Sequence, residues 1–300
     1  MDDVVAFRLS LALMAAGGLY CWVRFFTNKE SLLRQASTGI TPFGFVDFAL
    51  LFVCWLGVQA AAIAVLRQFY SVESIADFNA YQKSMAVFFA SGGQLLVCII
   101  AMALFFVRYG REKNGLGLQR RDLFKNVGIA FRWFCMVVPL LLIMQAALAL
   151  LIPYEHSTLK SLQTDFNLLT LLSGWFGATV AAPICEEVVF RGVFQGWMQR
   201  FNRSKDPENA MRDIAGGWPV GDEDSAETES SVRFWIPILV SSIVFGAIHM
   251  GQGAAPIVLF FFGIALGYLY RKTGSVVPCI ALHFFLNAFS MFWATLESWS

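Results

Sequence analysis

Charge is the scarcest property of this chain. Only 14% of its 300 residues are Asp, Glu, Lys or Arg, while 57% are hydrophobic; soluble domains carry about 25% charged residues. The deficit, with a mean hydropathy of +0.61, excludes an ordinary soluble domain and implies an integral membrane protein. A net charge of +1 with no basic face argues against nucleic acid as a partner. The six cysteines show no C-x-x-C spacing and each lies in or beside an apolar run, which excludes a disulfide or zinc framework. The sequence contains no H-E-x-x-H zinc-protease motif, no G-x-S-x-G nucleophile elbow and no G-x-G-D aspartyl pair. Near the N-terminus, Asp2 and Asp3 stand where a signal peptide would carry basic residues, so the first apolar run is expected to be a retained helix. There is no internal repeat.

Long apolar runs are abundant. A span needs about 20 mostly apolar residues, and candidates lie at 4–26, 44–69, 84–107, 127–152, 168–200, 234–250, 254–270 and 275–296. The fold class is therefore all-α, a polytopic transmembrane helical bundle of about eight spans, or seven. The fifth run reads either as one helix kinked at Pro183 or as a span followed by an interfacial helix. Residues 1–126 hold the N-terminal helices and a basic loop, and 127–300 hold the segment richest in polar motifs.

Basic residues follow the first, third, fifth and seventh runs: Arg24, Lys29 and Arg34; Arg108 to Lys125; Arg200 to Arg233; Arg271 and Lys272. The positive-inside rule puts these segments in the cytoplasm and both termini away from it, most simply in the cell membrane. Residues 202–232 form the one sizeable hydrophilic insert. It is acidic through Asp222, Glu223, Asp224, Glu227 and Glu229, and reads as a mobile cytoplasmic loop. Gly192-x-x-x-Gly196 and Gly263-x-x-x-Gly267 read as close intramolecular helix contacts.

Two adjacent glutamates, Glu186 and Glu187, interrupt an apolar run. A charged side chain at the bilayer centre costs roughly 2.5–3.5 kcal/mol on the insertion scale, so an intramembrane acid points to function. Glu187 and Arg191 are four residues apart and share a helix face, where they can neutralise each other. Glu186 points about 100° away and needs a partner from another helix. The chain has three histidines. His156 reads as a solvated loop residue. His249 closes a Phe245-x-x-x-His249 pattern, and His283 opens a His283-x-x-x-Asn287 pattern. Measured from Arg200, Arg233 and Lys272, Glu186 lies about 21 Å deep, His249 about 24 Å, His283 about 17 Å and Asn287 about 23 Å. One layer of a core about 30 Å thick holds all four.

Such a cluster suits water activation. A glutamate can take the proton of an attacking water, imidazoles can orient it or bind a metal, and an asparagine can donate to a developing oxyanion. Glu186, His249 and His283 are also a zinc-type ligand set. The cofactor expectation is thus either none or one divalent metal such as zinc. Two other readings use the same residues: a non-catalytic scaffold whose polar groups cross-link helices, and a proton-coupled transporter.

The ordered set Glu-Glu-x-x-x-Arg, Phe-x-x-x-His and His-x-x-x-Asn resembles the CPBP family of CAAX prenyl proteases and bacteriocin-processing enzymes, also called Abi, over roughly residues 170–292. The stretch Gly115-Leu116-Gly117-Leu118 is similar to one that such proteins often carry in a basic loop. The resemblance implies an intramembrane endopeptidase of glutamate or metallo type. It implies Glu186 as the water-activating base, Glu187 and Arg191 as a supporting pair, His249 and His283 as further catalytic groups, and Asn287 as oxyanion stabiliser. Its implied partners are the lipid bilayer and a protein or peptide substrate, membrane-associated or prenylated. Some members act in bacteriocin immunity. The charge alternation generates a first prediction: alkaline phosphatase fused after residue 160 is active, and after residue 120 inactive. The reverse pattern would overturn the orientation.

Overall fold

The computed structural model describes residues 3–27, 41–110, 115–118, 122–152, 167–201, 214–216 and 231–298. Eight helices carry the fold: α1 (Asp3–Thr27), α2 (Phe45–Tyr70), α3 (Ala80–Tyr109), α4 (Leu123–Ala149), α5 (Leu168–Phe201), α6 (Ser231–Ala247), α7 (Ala255–Thr273) and α8 (Val277–Glu297). Seven are long and apolar enough to cross a membrane, and the apolar part of α6, Val232–Ala247, is shorter. No strand occurs among the described residues. His156 and most of the 202–232 insert lie outside them. The protein is an integral, multi-pass helical membrane protein, as its composition requires.

The helix ends follow from local chemistry. Asn79 Oδ1 accepts the Gln82 N–H at 2.9 Å while Gln82 Oε1 accepts the Asn79 N–H at 2.9 Å, a reciprocal cap that starts α3. Asn167 Oδ1 accepts the Thr170 N–H at 3.0 Å at the start of α5.

Helix α5 is the axis of the bundle and packs against α2, α3, α6, α7 and α8, while α1 lies outside on α4. Residues 185–196 of α5 are buried on every face, as an apolar helix without a solvated side must be. Outward-facing residues such as Phe69, Val107 and Phe124 are highly exposed and make the surface that lipid covers. Close helix approach depends on the paired glycines. A Cβ on Gly263 would meet Ser242 of α6 at 3.0 Å, and one on Gly267 would meet Gln195 Oε1 at 2.9 Å. One on Gly192 would lie 2.4 Å from Leu116, and one on Gly196 2.7 Å from Thr41. Gly263-x-x-x-Gly267 is thus a helix–helix seam, whereas Gly192 and Gly196 make room for the non-helical segments that carry Leu116 and Thr41.

The fifth apolar run is one continuous helix with wide turns at 176–181 and 188–195, where the pairing becomes π-helical. Of the two readings of this run, the single helix holds, and Pro183 lies inside it. In the first wide turn the Ala182 N–H donates to Gly177 O, five residues back. One step further, that register would aim Ala178 O at residue 183, where proline has no N–H. Asn287 of α8 fills the gap: its Nδ2 donates to Ala178 O at 2.7 Å.

At the end of the bundle that carries the basic segments, described connecting residues pack closely. Leu116, 2% exposed, sits against Gly192, its carbonyl accepts the Val276 N–H at 3.1 Å, and Ser275 Oγ donates to Gly117 O at 2.7 Å. The Gly115–Leu118 stretch thereby ties the α3–α4 connection to the α7–α8 turn. Beside it, Asp47 accepts from Gly44 N–H at 2.8 Å, Tyr109 Oη at 2.7 Å and Arg108 at 3.0 Å, and Arg108 also donates to Ala215 O at 3.1 Å. Asp47→Ala is expected to lower stability by on the order of 2 kcal/mol, since it removes hydrogen bonds to a buried charged acceptor. Thermal unfolding in detergent measures this, and an unchanged midpoint would refute it.

Candidate active site

The two adjacent glutamates end in different surroundings. Glu187 has no exposed surface. Its Oε2 lies 3.3 Å from Arg191 Nε, one turn along α5, and its Oε1 accepts a hydrogen bond from His283 Nδ1 of α8 at 2.9 Å. The guanidinium of Arg191 is also fully buried and stacks over the Phe245 ring of α6 at 4.5 Å, a cation–π contact strengthened by desolvation. Its N–H groups make no well-aligned hydrogen bond among the described residues, so the ion pair and the ring carry the charge. Three helices, α5, α6 and α8, are thus held together by one anion and one cation.

Glu186 keeps 8% of its surface exposed and opens into a cavity of about 350 Å³, a size typical of ligand pockets, about 300–1,000 Å³. His249, His283 and Asn287 line the same cavity. The structure therefore brings together the four residues expected from the sequence, and keeps Glu187 and Arg191 behind the cavity wall. The expected depth of His283 is reached differently, however: it lies only six residues into α8, so the α7–α8 turn sits about 9 Å from the site.

Each imidazole is oriented through its Nδ1. His283 Nδ1 donates to Glu187, and its ring is held edge-on by Phe262 at 5.4 Å and Phe245 at 6.0 Å. Its Nε2 is then the free nitrogen, 4.0 Å from Glu186 Oε2. That separation is too long for a direct hydrogen bond and matches two groups that share one water. His249 lies just beyond the end of α6, and its Nδ1 donates to Phe245 O at 2.8 Å, leaving Nε2 as its free nitrogen. Asn287 gives one amide hydrogen to Ala178 O and retains a second.

As a zinc-type set, these residues do not fit. Among the described residues no group of three His, Cys, Asp or Glu side chains stands close enough to hold a metal ion. The Glu186, His249 and His283 set lines one cavity without converging on one point, and no step below is routed through a metal.

Sequence reasoning missed other polar residues that line the cavity. Gln59 of α2, Gln94 of α3, Gln145 of α4 and Gln252 of the α6–α7 turn line it too. Their signal was available: three are uncharged polar residues inside apolar runs. The cavity also lies in one half of the bundle, where α5 and α7 begin and α4, α6 and α8 end. The basic segments lie toward the other half.

Residues 168–289, which span α5 to most of α8, match the family described as Rce1-like, type II CAAX prenyl endopeptidase Rce1-like. All six motif residues of the site fall within the matched segment, and the resemblance stated from the motifs agrees with it. No curated protein and no solved structure matches the chain.

The geometry makes Arg191 the weight-bearing cation. Arg191→Met is expected to cost about 3–5 kcal/mol, because it strands a buried carboxylate. The double variant Glu187→Gln with Arg191→Met should recover part of that loss. Equal unfolding midpoints for wild type and Arg191→Met would contradict the assignment.

Proposed function

We propose that the protein is an intramembrane endopeptidase of the CAAX-processing type, using Glu186 as the base that activates water. The observation that carries this reading is the asymmetry of the glutamates: Glu187 is sealed by Arg191 and His283, while Glu186 faces the cavity with His283 Nε2 4.0 Å away. A sealed pair alone would serve a scaffold. An acid open to a polar cavity beside two oriented imidazoles has a chemical use.

The steps follow from the atoms present. A water bridging Glu186 Oε2 and His283 Nε2 attacks the scissile carbonyl as Glu186 takes its proton. The carbonyl oxygen becomes an oxyanion and accepts the second amide hydrogen of Asn287. Glu186 returns the proton to the leaving amine as the C–N bond breaks, and no covalent enzyme intermediate forms. His249 lines the same cavity, and its Nε2 is available as a second proton acceptor. Glu187 fixes the tautomer and tilt of His283 and touches no reacting atom.

The family match supports a prenylated protein or peptide with a CAAX-type terminus as substrate, and the distribution of basic residues supports a plasma-membrane protein with a cytoplasmic 202–232 insert. On that orientation the cavity lies in the half of the bundle away from the cytoplasm.

The test uses purified protein in nanodiscs and a fluorogenic S-farnesyl CAAX peptide. Glu186→Gln should lower kcat at least 10²- to 10⁴-fold, the contribution of a general base, with the unfolding midpoint within a few degrees of wild type. Full activity in that variant would refute the proposal, and lost stability with an unchanged cellular phenotype would favour the scaffold reading. A pH-dependent flux through vesicles would favour the transporter.

A further inference from the structure

The cavity lining beside the motif residues has a composition the reaction does not explain. It carries four carboxamides, from Gln59, Gln94, Gln145 and Gln252. Gln59 and Gln94 lie near the middle of α2 and α3, where polar groups turned to lipid are costly. They bond to each other, Gln94 Nε2 donating to Gln59 Oε1 at 3.2 Å, and that single bond leaves donor and acceptor capacity on both.

Gln252 is the most telling. It sits between Gly251 at φ 95° and Gly253 at φ 59°, so a left-handed turn that other residues resist holds its backbone. The turn is fixed further by the Gln252 N–H to His249 O at 3.3 Å and the Ala255 N–H to Gln252 O at 3.2 Å. Its side chain lines the cavity, and its Oε1 is buried with no hydrogen-bond partner among the described residues. A buried acceptor left unpaired costs about 1–3 kcal/mol; the oxygen has no open surface here, and a turn of the carboxamide toward the cavity would let a donor there remove that loss.

We propose that this glutamine wall is the subsite that holds the substrate's main chain, with Gln252 accepting a backbone N–H beside the scissile bond. The inference rests on the peptide-cleaving reading of the same cavity. A carboxamide is the neutral side chain that both donates and accepts, as a peptide group does. A helical substrate satisfies its own backbone and has no need of such partners, whereas an extended one at membrane depth must find them. No lysine or arginine lines the cavity among the described residues, so the subsite offers no counter-charge. The substrate class it takes is an extended stretch of polypeptide.

The experiment measures binding of the S-farnesyl CAAX peptide to full-length Glu186→Gln protein in nanodiscs, beside peptides N-methylated at the scissile amide or at either neighbouring amide. One methylated peptide should bind about tenfold more weakly. Gln252→Met should weaken the unmethylated peptide by a similar factor and erase the difference between the two. In protein that retains Glu186, Gln252→Met should raise KM with kcat within about twofold. Should Gln252→Met fail to fold, the methylation series on the Glu186→Gln protein still decides. Equal affinities across that series, or no binding of any peptide, overturn the subsite. A methylation penalty that persists unchanged in Gln252→Met overturns the role of Gln252. Wild-type cleavage with Gln252-independent affinity sinks this inference alone. Gln252-dependent binding without wild-type cleavage sinks the protease reading and leaves the subsite standing.

Discussion

An ionised carboxylate deep in an apolar bundle must be paired or the bundle does not form, and Glu187 is that carboxylate. The effective penalty of burying an ion is several kcal/mol, so every element that touches Glu187 is recruited to offset it. Arg191 supplies the counter-charge from the next turn of α5, His283 supplies a hydrogen bond from α8, and Phe245 of α6 covers the guanidinium. The mutual placement of α5, α6 and α8 follows from that requirement. Once His283 is committed through Nδ1, its other nitrogen has one direction left to face, and that direction holds Glu186. The electrostatics of the structural acid thus set the geometry around the exposed one.

The wide turns of α5 serve the same end. A π-helical register leaves carbonyls whose partners are displaced by one residue, and such turns recur at functional sites. Pro183 leaves one of these carbonyls without a donor, and Asn287 is drawn to it. The asparagine that faces the cavity is therefore also a fastener between α5 and α8, which holds it within reach of the site at no extra conformational cost.

The two ends of the bundle have different characters. Leu116, Ser275 and the Gly192 notch pack together at the end that bears the basic segments. The cavity takes up the other half, and its walls come from α2, α3 and α4 as much as from the matched segment. The helices outside residues 168–289 complete the cavity and supply three of its four glutamines.

The sequence by itself determined the class of the fold and the identity of the motif residues. Span length and hydropathy depend only on composition within a window, so the apolar runs matched the helices to within a few residues. Helical spacing is local as well, and it paired Glu187 with Arg191 without knowledge of any other helix. What it could not supply was which acid His283 would bond. That choice depends on how α8 lies against α5, a contact 96 residues apart in the chain. The wide turns, the capping of Ala178 by Asn287 and the unpaired Oε1 of Gln252 were hidden for the same reason. Each is a matter of which polar group is left without a partner once the helices have packed, and only the tertiary structure decides that.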